Sequence, residues 1–341
     1  MTVSKTGDSD GESADFYGTN AGILADNGAD LTLSAVTVTT DGKHANGVFS
    51  YGSGTTVTIT DSYITTTGDN SGGLMTTGGA TLVADNVTIE TSGNSSAAIR
   101  TDRGGGTVTA SNTTGTTSGT GSPAIYSTAD ITVSGSTLSA ANSEAVVIEG
   151  GNSVTITDSD LTGNNATLNG QSTTATNVLI YQSMSGDASE GESEFTMSGG
   201  SLTAITGSMF HVTNVTTTIN LTGVSLNYAS DSDVLADLSA DSWGTSGSNG
   251  GNATINLSEQ TAAGNILVDS VSSLTLNISD NSSYSGAINP TGAAGSVTVT
   301  IDSGSTWTLT GDTYIDALNG DLSSINLNGY TLYINGVAYT A

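Results

Sequence analysis

The sequence predicts an all-β chain, wound as a right-handed, single-stranded parallel β-helix of about eleven or twelve coils of roughly 25 residues each. Three observations carry that expectation. A small residue followed by an apolar one recurs at a near-constant interval, apolar residues alternate with polar ones inside every rung, and the composition hardly changes from end to end.

The recurrence sets the coil length. The pairs Gly22-Ile23, Gly47-Val48, Gly73-Leu74, Ala98-Ile99, Ala124-Ile125 and Ala145-Val146 place the apolar anchors 25, 26, 25, 26 and 21 residues apart. The series continues less regularly through Val178-Leu179, Met209-Phe210, Val234-Leu235, Asn265-Ile266 and Ala287-Ile288. Further along each rung comes a second apolar pair, such as Leu31/Leu33, Val57/Ile59, Val154/Ile156 or Val297/Val299, and many rungs add a third, such as Val36/Val38 or Val87/Ile89. Alternation of period two means a strand with one buried face, and the Gly, Asn, Asp and Ser between the pairs supply turns. Stacked at the strand spacing of about 4.8 Å, such coils make a rod on the order of 55 Å long. A propeller would repeat every 40 to 45 residues or so, with aromatic signatures that are missing. No amphipathic helical stretch is visible.

The rod is expected to span residues 22–312, with an N-terminal cap over 1–21 and a capping segment over 313–341, because an open β-helix end exposes a sheet edge. Three coils carry polar excess at Thr162–Asn177, Ser183–Glu194 and Ser239–Asn252. These read as loops ejected from the rod, and insertions on one side of a solenoid often frame its binding face.

Composition restricts the partners. The chain has 341 residues, 32 Asp and Glu, and four basic side chains (Lys5, Lys43, Arg100, Arg103), for a formal net charge of −28. Phosphate contacts need clustered Lys and Arg, so nucleic acid and anionic membrane surfaces are not expected partners. No apolar run approaches the roughly 20 residues of a membrane span, so no direct membrane insertion is expected. Met1 is followed by polar residues, so any export or anchoring signal is expected to lie outside this stretch. The absence of Cys excludes a disulfide framework, a Cys-ligated zinc and a cysteine nucleophile. A monomeric rod at a cell surface or outside the cell fits this Lys-poor, Thr- and Asn-rich texture.

The segments Ala124–Asp130 (AIYSTAD), Ala145–Gly150, Ile180–Asp187 (IYQSMSGD) and Trp307–Gly311 (WTLTG) resemble exported β-helix proteins of gut anaerobic bacteria. More loosely the chain is similar to autotransporter passengers and to pectate-lyase-like β-helices. The resemblance implies the fold and an extracellular, adhesin-like setting, but not one chemistry, because fold does not imply function.

The strand opening each coil is the most informative. With the anchors inward, their successors form an outward ladder of Leu24, Phe49, Met75, Arg100, Tyr126, Val147, Ile180 and His211. Two residues on come Asp26, Tyr51, Thr77, Asp102, Thr128, Glu149, Gln182 and Asp269. Aromatic plates beside charged hydrogen-bonding groups suit a sugar chain. Phe49, Tyr51, Arg100, Arg103, Tyr126, Glu149 and Tyr181 are therefore the candidate ligand-binding residues, with a polysaccharide or glycoconjugate as the expected partner. The competing reading is that a long loop or the N-terminal segment covers this ladder as a second core layer. Arg100, Asp102, Glu149 and His211 are the candidate catalytic residues for a polysaccharide lyase or glycoside hydrolase. A glycosidase needs two carboxylates about 5 to 9.5 Å apart, and Asp102 and Glu149, two coils apart, are about 10 Å apart along the rod. Against this, Arg100, Asp102 and Arg103 also read as a salt-bridge cluster. Asp187 and Glu190, within one acidic insertion, are the candidate ligands for a calcium ion, although no EF-hand or nonapeptide pattern is present; otherwise no cofactor is expected. Thr-rich runs such as Thr55–Thr60 raise an ice-binding face, but the Thr positions interchange with Asp, Ser and Asn, and Thr is simply a good strand residue.

Overall fold

Alternating β-branched and hydroxyl residues leave each strand with one apolar edge to bury, and a short strand alone cannot bury it. The chain solves this by coiling, so that each strand hydrogen-bonds in parallel to its counterpart one turn away. The computed structural model describes residues 1–170, 172–293 and 295–339. One face is a 10-stranded parallel sheet, from Ile23–Ala25 through Val48–Tyr51 and Leu74–Thr77 to Asn265–Val268. The other two faces join in a 19-stranded sheet, because strands such as Thr56–Thr66 and Ala80–Thr91 pass round their shared corner unbroken. That corner turns on residues with positive φ, Asp61 (51°), Asn86 (53°) and Asn112 (49°) in successive coils. Asp and Asn tolerate this left-handed conformation better than other side chains.

The register carries the anchors as read from the sequence. Ile23, Val48, Leu74, Ile99, Ile125 and Val146 stack as direct partners, all but Ile23 fully buried. In the last coils a separate 4-stranded sheet buries an aromatic pair: Trp307 and Tyr284 stack with centroids 6.3 Å apart. Their polar atoms are satisfied, since Trp307 Nε1 donates to Gly286 O at 3.0 Å and the Tyr284 hydroxyl to Gly264 O at 2.8 Å.

Another corner has no room for side chains. Gly42, Gly68, Gly93 and Gly119 follow one another coil on coil, and a Cβ on each would lie within 2.0 Å of a carbonyl oxygen of the coil before. Beside them the Thr66 and Thr91 hydroxyls donate to the Ser71 and Ser96 carbonyls at 2.5 Å. The Ser71 and Ser96 hydroxyls donate to Gly42 O and Gly68 O at 3.0 and 3.1 Å.

The structure corrects the reading at three places. At the seventh coil Val178, not Leu179, occupies the inward column, because Val146 pairs with Val178 and Ile148 with Ile180. Ile180 thus points inward and Leu179 outward, and Tyr181 rather than Gln182 follows Glu149. Four consecutive apolar or aromatic residues, Val178 to Tyr181, leave alternation unable to set the phase. At the ninth coil a bulge after Val234 puts Ala236 beside Phe210, with Leu235 also buried. A helix, Glu12–Tyr17, lies within the N-terminal segment, too short to show a helical period and closed by Gly18 at φ 68°. That segment also holds Thr2–Lys5, which pairs in parallel with Thr37–Thr40.

In the C-terminal segment Thr313–Ile315 pairs in parallel with Leu332–Ile334, which turns back antiparallel to Val337–Tyr339; residues 340 and 341 lie outside the described residues. The three long polar stretches are loops, at 164–175, 182–191 and 239–250, each entering or leaving the 10-stranded face. Among the described residues no helix is long and apolar enough to cross a membrane.

Candidate functional site

The outward ladder of the 10-stranded face is not one open groove. Its first third is roofed by the N-terminal segment. Phe49 and Met75 are fully buried, the Phe49 ring lies against Gly18, and the Thr77 hydroxyl donates to Phe16 O at 2.6 Å. Phe49 therefore offers no surface to a ligand, and Tyr51 is half-buried, edge-on to Tyr17 with ring centroids 5.2 Å apart. The physical reason is the one the competing reading named: an apolar ladder on an outward face gains by being covered.

Beyond the roof the two arginines are each held by a carboxylate. Arg100 donates to Asp102 Oδ2 from Nε at 3.0 Å and from Nη2 at 2.5 Å. Burial, the largest single influence, would lower its pKa, but the charge and hydrogen bond of Asp102 together with Tyr126 and Asp15 outweigh it and the net shift is upward. Arg103 donates from Nε to Asp187 Oδ1 at 2.8 Å and lies 4.0 Å from the Phe16 ring centroid. This pins the 182–191 loop to the rod. The Asp187 carboxylate, expected as a calcium ligand, thus faces a guanidinium, and Glu190 lines a separate, polar hollow with Gln182 and Asn214. Among the described residues no three His, Asp or Glu side chains are grouped to hold a metal ion.

The middle of the face is a cleft of about 520 Å³. Tyr126, Val147, Leu179 and Tyr181 form its floor, and Asn169 and Ser172 from one loop, Met184 and Ser185 from another and Trp243 from the third complete its lining. Trp243 packs on Val147, Leu179 and Tyr181, with its ring 4.6 Å from that of Tyr181. A second hollow of about 250 Å³ adjoins it, sharing Tyr126, Tyr181 and Asn169 and reaching Arg100.

Beneath the floor sits Glu149, only 2% exposed. Its carboxylate accepts from the Tyr126 and Ser183 hydroxyls, from Tyr181 at 3.0 Å and from Ser185 at 3.3 Å. Burial pushes the Tyr126 phenol well above its ordinary value, with Tyr181 and Glu149 adding to the shift. Tyr181 is raised for the same first reason. Both phenols are therefore neutral donors at physiological pH. Glu144 lines the cleft, accepting from the Ser143 hydroxyl at 2.6 Å and Asn165 Nδ2 at 2.8 Å. Burial raises its pKa despite those bonds.

His211 is not at the surface. It is 1% exposed beneath the 239–250 loop, with Nδ1 3.1 Å from Asp237 O and Nε2 3.6 Å from Asp241 Oδ2, where Nε2 has no hydrogen-bond partner. The Asp241 carboxylate is itself held by Thr173 of the 164–175 loop. Burial opposes its ionisation, and the His211 and Thr173 contacts overcome that, so its pKa lies below the usual carboxylate range.

The architecture has a counterpart among known families: the right-handed β-helix region matches residues 13–183. The chain belongs to the right-handed β-helix family. No curated protein and no solved structure matches it significantly. The family match covers the roofed coils and the cleft floor, but not the loop that carries Trp243.

In this right-handed β-helix, Arg100, Tyr126, Glu149 and Tyr181 lie together, whereas Phe49, Tyr51 and His211 lie apart from them under covering segments. Trp243, Leu179, Glu144 and Asn169 were not among the sequence candidates. Trp243 had one visible signal, as the only Trp within a polar insertion.

Proposed function

We propose that this β-helix is an extracellular, cell-surface binding protein that takes a saccharide in the cleft over Tyr126 and Tyr181. One observation carries the reading: aromatic rings from the rod and from a loop converge on a cleft whose lining also holds apolar side chains, the Glu144 carboxylate and the amides and hydroxyls of two further loops. Apolar ring faces pack against the C–H faces of a sugar, and Asn169, Ser172 and Ser185 offer partners for its hydroxyls. A volume of about 520 Å³ suits a few sugar units rather than a long chain threaded along the rod. Three loops from different coils frame it, which is how a solenoid builds a local site from a repetitive body.

A second reading, a polysaccharide lyase or glycoside hydrolase in the same cleft, is favoured by the buried Glu144, whose raised pKa suits a general acid. Against it, the guanidinium that a lyase would aim at a uronate is held by Asp102. Both readings are tested together. The protein is presented with a panel of neutral, amino and uronate oligosaccharides, while binding, reducing ends and unsaturated product are followed. Binding without turnover is the expected result. Turnover lost in Glu144→Gln would establish the second reading, and no saccharide binding would sink the first.

A further inference from the structure

We infer that the ligand of this cleft carries a positive charge, as an amino sugar with a free ammonium group does; this rests on the saccharide reading for the sugar but not for the charge. The inference starts from a charge without a counterion. The Glu149 carboxylate lies beneath the floor, and everything that donates to it is a neutral hydroxyl, from Tyr126, Tyr181, Ser183 and Ser185. Burying a carboxylate without a cation is costly, and neutral donors offset only part of that cost. The cleft lining adds a second carboxylate, Glu144, and no Lys, Arg or His among the described residues. Arg100 reaches only the adjoining hollow, and its guanidinium is engaged by Asp102 through two donors.

The rings point the same way. A phenol donating to a carboxylate is polarised toward greater electron density, which strengthens the attraction of its ring face for a cation. Tyr181 presents one such ring, and Trp243, with its centroid 4.6 Å away and its plane at 55°, sets a second aromatic ring at an angle to it in the cleft lining. Aromatic faces set at an angle with a carboxylate behind them are the arrangement that holds ammonium groups. A uronate would meet the Glu144 carboxylate in the lining, with that of Glu149 beneath the floor and no available cation, and the chain's charge of −28 would repel it further.

The test uses the whole chain and the fluorescence of Trp243, with the fully buried Trp307 as constant background. Glucosamine oligomers are titrated against N-acetylated oligomers of equal length, a uronate oligomer and tetramethylammonium. The expected result is that glucosamine oligomers bind at least about tenfold tighter than their N-acetylated counterparts. That preference should shrink with salt and disappear in Glu149→Gln and in Glu144→Gln, each checked for an unchanged melting curve. Equal or tighter binding of the N-acetylated or uronate oligomer would overturn the charge inference and leave the saccharide reading standing. Binding of tetramethylammonium but of no sugar would do the reverse. Silence from every ligand would remove both.

Discussion

A glycine is usually called irreplaceable because its φ is positive, yet the structure predicts that the more damaging substitution falls at a glycine whose φ is ordinary. Gly93 has no positive φ, but a Cβ there would sit 1.8 Å from Gly68 O and 2.3 Å from the Gly68 carbonyl carbon. Real contacts of this kind stay at about 3 Å or more, so the two coils must part by more than about 1 Å. The bond from Asn70 N to Asn94 O, 2.8 Å long, and that from the Ser96 hydroxyl to Gly68 O, 3.1 Å long, span the same gap and would open with it. Losing two such bonds, one at a buried hydroxyl, costs on the order of 2–4 kcal/mol. The lower entropy of the unfolded Ala chain offsets about 0.4–1 kcal/mol. Gly54 makes the comparison: its φ is 81° but nothing lies within 4 Å of its Cβ position, so Gly54→Ala should cost only about 1–2 kcal/mol. Urea midpoints of the two variants, analysed with a common slope, decide it. A Gly93→Ala midpoint at or above that of Gly54→Ala would refute coil-on-coil packing as the reason for this glycine column.

Other consequences are more direct. Trp243→Ala should abolish saccharide binding and also lower the melting midpoint, since it removes a ring that packs on Val147, Leu179 and Tyr181 with only 9% of it exposed; a titration and a thermal scan check the two halves. The Tyr126, Tyr181 and Tyr284 phenols are all raised by burial, so the unfolded state loses those protons first. Stability should therefore be unaffected below pH 10 or so and fall above it by about 1.4 kcal/mol per pH unit for each buried phenol, which alkaline unfolding followed by tyrosinate absorbance measures. Asp241 titrates below the usual range, so its contribution is present above about pH 4 and is lost as pH falls through its native value; Trp243 emission should change on acidification in the wild type and much less in Asp241→Asn. Because Asp187 is engaged by Arg103, millimolar calcium should raise the melting midpoint no more than sodium chloride of equal ionic strength, and a calcium-specific rise would restore the acidic loop as a metal site.

Much of the fold was legible because a β-helix writes its geometry into sequence period. The pairs from Gly22-Ile23 to Ala145-Val146 fall in register, since each coil repeats the same inward position at the same path length. Legibility failed where that logic lapses. From Val178 to Tyr181 every residue is apolar or aromatic, so nothing marks which edge is buried. The Glu12–Tyr17 helix spans less than two turns and its docking onto Phe49 is a tertiary fact. The site was half legible: Tyr126 and Glu149 stand on the ladder as the period places them, whereas Tyr181 was a candidate whose place beside Glu149 the ladder, phased on Ile180 and Gln182, did not give. Trp243 stands on a loop, and no period places it over Tyr181, 62 residues earlier in the chain. The same ladder misled at Phe49 and His211, because an outward position is exposed only if nothing folds over it.

The account rests most heavily on the cleft over Tyr126 and Tyr181 as the place where a ligand sits. Hydrogen–deuterium exchange, with and without a saturating saccharide from the panel, tests that most directly. Protection is predicted in 179–185 and 239–249, with lesser protection near 121–126 and 165–172, and none along the threonine-lined faces of the 19-stranded sheet. Protection concentrated on those faces, or an unchanged 239–249 loop under saturating ligand, would contradict the account.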